Sequence, residues 1–283
     1  MRTNPKNFKY KHSLGQNFII DEFLLEDIAD ESGITKDDFV LEIGPGNGAL
    51  TRCLCDRAKY VVSVEIDKSL IPLLKDNLKE YKNVSIINAD FMELDFQTIL
   101  NEFSTIGASL RARIKVVANL PYYITSPIIN ILLQNPHVSE MTLMVQKEVA
   151  ERIVATPGGK DYGILTLACN YFADTEMIMI VSKDCFFPKP KVDSAVVHFK
   201  KHLAASPHTD ELRKPDYDQL FKLIKASFAQ RRKKLLNSLT NAGYDKDTVA
   251  KAFSELGFDE NVRAENLSLN DYKNLQRIIF SLR

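Results

Sequence analysis

Phe39-Val40-Leu41-Glu42-Ile43-Gly44-Pro45-Gly46-Asn47-Gly48 decides how this chain folds. The first five residues, apolar except for Glu42, read as a short buried strand, and they run directly into a glycine-rich turn. Ala49 to Arg57 then carries a helical pattern, so the unit is strand, glycine turn, helix. In such a turn the glycines let backbone approach a ligand closely, and the helix that follows presents free N–H groups.

Working outward, Val61 to Val64 is a second strand ending at Glu65, followed by a helix through Leu78. Val84 to Ile87 is a third strand ending near Asp90, Ile114 to Ala118 a fourth and Met141 to Val145 a fifth. Met177 to Val181 and Ala195 to Phe199 are expected to form a closing pair around the loop from Phe186 to Ser194. Upstream, Ile20, Leu24, Leu25 and Ile28 recur at helical spacing. Strands alternating with helices predict an α/β fold with a mostly parallel sheet covered on both faces. From Pro207 the strands stop, and Leu220, Leu223, Ile224, Phe228, Leu235, Leu236 and Leu239 recur at helical spacing. The expected division is an α/β domain over 1–205, with a basic leader over 1–20, and a small helical domain over 206–283.

With 283 residues and 45% hydrophobic content, the chain can build one sizeable core and a small second domain. No apolar run approaches the roughly 18 residues of a membrane span. Met1 to Lys11 is polar and basic, unlike a secretory signal, so a cytoplasmic protein without membrane contact is expected. Cys53, Cys55, Cys169 and Cys185 lack zinc spacing, as do the five histidines, so no metal is expected and the thiols read as buried and inert. Net charge is zero, yet Arg2, Lys6, Lys9 and Lys11 in the first twenty residues stand without an acid. The same holds for Lys222, Lys225, Arg231, Arg232, Lys233 and Lys234 between 221 and 240.

Gly44-x-Gly46-x-x-Ala49, with Glu65 about twenty residues on, fits the dinucleotide fingerprint in which the acid grips ribose hydroxyls. That spacing does not separate a nicotinamide dinucleotide from S-adenosylmethionine, and a purely structural glycine turn competes with both. Asp90 tilts the choice toward S-adenosylmethionine, because a carboxylate there, beside an aromatic such as Phe91, can accept from an adenine amino group. The open-sheet rule sets these groups along one crevice at the strand C-terminal ends.

The fourth strand runs into Asn119-Leu120-Pro121-Tyr122, the most specific signal in the chain. An adenine amino nitrogen is a poor nucleophile because its lone pair is delocalised into the ring. Two acceptors, the Asn119 side-chain oxygen and the Leu120 carbonyl, can each take one N–H and let the nitrogen pyramidalise toward a sulfonium methyl. Pro121 stiffens the turn, and Tyr122 offers a face for stacking. A strand-ending turn with a buried tyrosine is the competing explanation.

These motifs, together with His12 to Phe18, Glu42 to Gly46, Val64 to Asp67, Asn88 to Asp90 and Phe186 to Ser194, resemble the ribosomal RNA adenine dimethyltransferase family over almost the whole chain. The resemblance implies a Rossmann-like methyltransferase domain with Asn17, Ile19, Gly44, Glu65, Asp90 and Asn119 contacting the cofactor. It further implies that Phe186 to Ser194 closes over the target base, with Phe186 as a stacking face opposite Tyr122. A flipped or single-stranded adenine is then required. Ser227 to Leu236 reads as an amphipathic helix with a basic end, Arg231 to Lys234; such a run is often a solvated face, but in this family it lies toward RNA. The expected activity is dimethylation of two adjacent adenosines in the 3′-terminal hairpin loop of small-subunit rRNA, within an assembling subunit and by a monomer. The alternatives are a large-subunit methylase of the erythromycin-resistance type and a non-enzymatic RNA-binding assembly factor.

Overall fold

The computed structural model describes residues 16–107, 113–202, 210–230 and 233–281. Arg2, Lys6, Lys9, Lys11, the stretch from His12 to Gly15, Arg231 and Arg232 lie outside the described residues. The elements in chain order are β1 (Phe18–Ile19), α1 (Glu22–Glu31), β2 (Phe39–Ile43), α2 (Ala49–Arg57), β3 (Tyr60–Glu65), α3 (Ile71–Asn77), β4 (Val84–Asn88), α4 (Phe96–Ser104), β5 (Ile114–Asn119), α5 (Thr125–Gln134) and β6 (Val138–Gln146). There follow α6 (Lys147–Ile153), α7 (Ile164–Phe172), β7 (Ala173–Val181), β8 (Phe186–Phe187), β9 (Ser194–Lys201), α8 (Asp210–Phe228), α9 (Leu235–Asn241), α10 (Lys246–Leu256) and α11 (Leu269–Ser281).

Two compact units form: Met1–Ala150 with Glu176–Lys201, and Glu151–Thr175 with His202–Arg283. In the first, the sheet order is β4-β3-β2-β5-β6-β9-β7. β4, β3, β2, β5 and β6 run parallel, and β9 pairs antiparallel with β6. β2 lies at the centre with every residue buried, as a strand flanked on both edges and covered on both faces must be. The chain leaves β2 for β3 and β4 on one side, then returns to β5 on the other, so the strand order reverses between β2 and β5. A crevice opens at that switch point, outside the strand C-terminal ends.

α1 starts at Asp21, whose carboxylate caps the Phe23 and Leu24 amides and satisfies two of the donors a helix leaves open. Its buried face is Leu25, Ile28 and Ala29; Ile20, expected on that face, precedes the helix and is exposed. β7 and β9 are the anticipated closing strands and are neighbours in the sheet. Unanticipated is β8, which pairs antiparallel with β1.

The second unit is helical, with Leu220, Leu223, Ile224, Leu235, Leu239, Val249, Phe253, Tyr272 and Leu275 in one buried cluster. It begins earlier than the expected boundary at 206. Tyr162 and Leu167 pack in the helical cluster, and the Tyr162 hydroxyl donates to Leu267 O at 2.9 Å, which ties 151–175 to this unit. The expected helix from Ser227 to Leu236 is also corrected: α8 stops at Phe228 and α9 starts at Leu235. In one straight helix Ile224 and Leu239 would stand about 22 Å apart. Both belong to one core cluster, so the chain turns between them, and the Leu235 amide bonds to Val262 O at 2.8 Å.

Candidate active site

The glycine turn is held from below by a carboxylate. Glu65, 4% exposed at the end of β3, accepts from the Gly46 amide at 3.0 Å and from the Asp67 amide at 2.7 Å. Burial pushes its carboxyl above the usual range, and the backbone donors oppose that. Gly46 has φ +60°, and a Cβ there would lie 2.8 Å from the Phe18 ring. Gly48, the left-handed residue before α2, has φ +80°, and a Cβ there would meet Leu74 at 2.7 Å. Both positions therefore demand glycine for conformation and for space. On the neighbouring strand the Ala89 amide bonds to Glu65 O at 3.1 Å, which sets Asp90 just beyond. Asp90 accepts from the Met92 amide at 2.8 Å, and Phe91 is buried beside it.

Across the switch point, the Asn119 amide is oriented by backbone. Its Nδ2 donates to Asn17 O at 3.0 Å, so the side-chain oxygen is the atom left to accept. The Leu120 amide bonds to Met144 O at 3.1 Å, and Pro121 O accepts from the Ile124 amide and the Thr125 hydroxyl. The turn is thus fixed on either side of Leu120. The Tyr122 hydroxyl shares a 2.8 Å hydrogen bond with Ser194 Oγ, and burial raises the phenol further from ionisation.

Residues 16–20 close over these groups as a strap. Gln16 Nε2 donates to Asp67 Oδ2 at 2.8 Å, and Asp67 is itself buried and bonded to the Ser69 amide and hydroxyl. Phe18 pairs with Phe187 and Ile19 with Phe186, and the Ile20 amide reaches Cys185 O at 2.9 Å. The far end of the 186–194 loop is held by Asp193, whose carbonyl accepts from the Lys147 amide and whose carboxylate accepts from the Lys183 amide.

Gln16, Asn17, Phe18, Ile19, Glu42, Gly44, Gly46, Glu65, Asn119, Leu120 and Pro121 line one cavity. Asn17, Ile19, Gly44, Gly46, Glu65, Asn119, Leu120 and Pro121 were expected there, whereas Asp90, Tyr122 and Phe186 are not among its lining residues. Phe186, expected as a stacking face, is 2% exposed and packs with Ile19, Leu25, Leu50 and Val196 in the core. Withdrawing such a ring costs about 2–3 kcal/mol. Phe187 is 48% exposed, and its pairing with Phe18 puts the two side chains on the same face of the two-stranded sheet. Sequence reasoning missed Gln16, Phe18 and Glu42 as cavity residues, although all three stand inside quoted motifs.

Lys233 and Lys234 are exposed in the connection between α8 and α9, not on a helix, with Lys234 at the cap position of α9. Cys53, Cys55 and Cys169 are buried, and burial pushes each thiol up to about 12. Among the described residues no cluster of His, Cys, Asp or Glu can hold a metal, and no helix is long and apolar enough to cross a membrane.

Comparison with known proteins fits this geometry. Ribosomal RNA small subunit methyltransferase A of Lachnoclostridium phytofermentans is 46% identical over 281 residues, covering 98% of this chain and 93% of the relative. The protein of the same name from Clostridium botulinum is 42% identical over 280 residues, covering 99% and 97%. Among solved structures, a dimethyladenosine transferase from Plasmodium falciparum superposes with a TM-score of 0.74 at 26% identity, covering 91% of this chain and 95% of the other. The 23S rRNA methyltransferase ErmE gives 0.69 at 26% identity, covering 93% and 99%. Residues 7–280 match the family described as ribosomal RNA adenine dimethylase, and the chain belongs to that family.

Proposed function

We propose that this chain transfers methyl groups from S-adenosylmethionine to the exocyclic amines of two adjacent adenosines in the 3′-terminal hairpin loop of small-subunit rRNA. The family and the full-length relatives named for the small subunit carry the reaction class and the choice of subunit. The large-subunit alternative rests on a 26% identical structure, against 42% and 46% for the small-subunit relatives. The single observation that carries the chemistry is the Asn119 amide, anchored through its nitrogen in the wall of a cavity that also holds Glu65 and the glycine turn.

The residues present fit the cofactor. Gly44 and Gly46 keep side chains out of the turn, and Glu65 can release a backbone amide to take ribose hydroxyls. Asp90 accepts from the cofactor's adenine amine, and Asn17 and Ile19 complete its contacts from the strap. Bound S-adenosylmethionine supplies an electrophilic methyl on a sulfonium. Asn119 Oδ1 and the Leu120 carbonyl each accept one N–H of the target amine, localising its lone pair. Pro121 holds both acceptors in place before the base arrives, so little entropy is lost at the reacting centre. Tyr122, steadied by Ser194, stacks on the flipped base, and Phe187 is the ring available opposite.

Lys233 and Lys234, with Arg231 and Arg232, contact phosphates without reading sequence, so the helical unit is an RNA-binding one. The working form is a monomer. The substrate is an assembling small subunit, which sets the protein in the cytoplasm.

The test is methyl transfer from labelled S-adenosylmethionine to unmodified small subunits beside large-subunit rRNA, with the modified nucleoside located by mass spectrometry. Dimethyladenosine in the 3′ hairpin is expected. Label confined to large-subunit RNA makes the resistance-type reading correct, and no label on either leaves an assembly factor.

A further inference from the structure

Glu42 has no part in the chemistry above, yet of the lining residues only it and Glu65 carry ionisable side chains. It is 1% exposed at the centre of the sheet and receives a 2.8 Å hydrogen bond from Ser63 Oγ. The Thr51 hydroxyl lies near enough to ease its charge without completing a hydrogen bond of good geometry. The titratable groups facing it from adjoining elements are Glu65 on β3 and the Cys55 thiol on α2; β5 presents Val117 opposite. None of these is a cation, and among the described residues no salt bridge to Glu42 forms. Burial, aided by Glu65, lifts the Glu42 carboxyl to about 7. A buried acid that meets no protein cation either keeps its proton or pairs with a cationic ligand.

We propose that Glu42 is the charge sensor of the cofactor cavity, favouring the cationic methyl donor over the neutral thioether left after transfer. The inference rests on the reading that this cavity holds S-adenosylmethionine. Transfer breaks the sulfur–methyl bond with its electron pair remaining on sulfur, while a carbon–nitrogen bond forms and the amine gives up a proton. The ligand therefore loses one positive charge in a cavity walled by two buried carboxyls. Opposite charges several ångströms apart in a protein interior change affinity by about tenfold or more. Donor binding drives the proton off Glu42, and the spent product lets it return. Glu42 is thus a specificity-determining residue that weakens product retention.

The experiment is titration calorimetry of the full chain with S-adenosylmethionine and with S-adenosylhomocysteine, at pH 6 and pH 8, in buffers of differing ionisation enthalpy. Wild type is expected to prefer the donor several-fold more at pH 8 than at pH 6, and to release protons near pH 7 with the donor only. In Glu42→Gln the preference falls about tenfold and becomes flat with pH. Ser63→Ala, which removes a donor to the charged carboxylate, moves the midpoint to higher pH and serves if Glu42→Gln does not fold. An unchanged donor preference in Glu42→Gln, or equal proton release with both ligands, overturns the proposal. Wild type that binds neither ligand at either pH overturns the cofactor reading and this inference with it; binding of both with no charge preference overturns this inference alone.

Discussion

The two walls of the cavity are built in different ways. The floor is the ends of β2, β3 and β5, locked by a parallel ladder over Phe39–Ile43 with β3, by one over Phe39–Glu42 with β5, and by buried side chains on both faces. The strap is residues 16–20, held by a two-residue pairing with β8 and by the bonds Gln16–Asp67, Asn17–Asn119 and Ile20–Cys185. Each such bond contributes about 0.5–1.5 kcal/mol. The floor belongs to the seven-stranded sheet and the strap to a separate two-stranded one, so local opening is expected at the strap before the floor. A methyltransferase must exchange its cofactor between turnovers, and opening at the strap would admit the ligand without disturbing the strands of the floor.

The largest expected effect tests which wall owns the paired phenylalanines. Phe186→Ala is expected to cost about 3–5 kcal/mol in chemical denaturation, since it empties a place in the core. Phe187→Ala is expected to change stability by about 0.5 kcal/mol or less and to lower kcat/KM for RNA about tenfold. The opposite pattern would return the stacking role to Phe186. Next, Asn119→Ala removes an acceptor from the floor and a donor to the strap. Single-turnover methyl transfer is expected to fall about a hundredfold to a thousandfold, while RNA affinity in filter binding stays within about twofold of wild type. Retained turnover would take Asn119 out of the chemistry. The smallest effect isolates the strap: Gln16→Ala should speed amide exchange at Phe18 to Ile20 about tenfold and leave exchange in β2 and β5 unaltered. Equal acceleration in both walls would mean that they open together.

The floor was legible in the sequence because its determinants are local. β2 and α2 fall on the bounds read from apolar runs and the glycine turn, and Glu65 and Asn119 end their strands where the pattern ends. The strap and the loop were less legible. In Phe186-Phe187 strand alternation requires one ring in and one out, but which is which depends on pairing with Phe18 and Ile19 from the far end of the chain. The same limit applies near Arg231. Apolar spacing carries from Phe228 through Leu235, but the reversal that brings α9 into the cluster depends on Val262, which local periodicity does not reach. Glu42 reads as a strand residue, and its burial arises only once β3, β5 and α2 close around it.

The anchoring of Asn119 also bears on how the product leaves. With Nδ2 donating one of its hydrogens to Asn17 O, the Asn119 oxygen is the atom that the proposed chemistry turns to the target amine as an acceptor. An unmodified adenine amine brings two hydrogens to the acceptor turn, a monomethylated amine one, and a dimethylated amine none. In the proposed role of Asn119 and Leu120 as acceptors, the grip on the base loosens by one hydrogen bond at each step, so the turn that readies the first transfer would have nothing left to hold after the second.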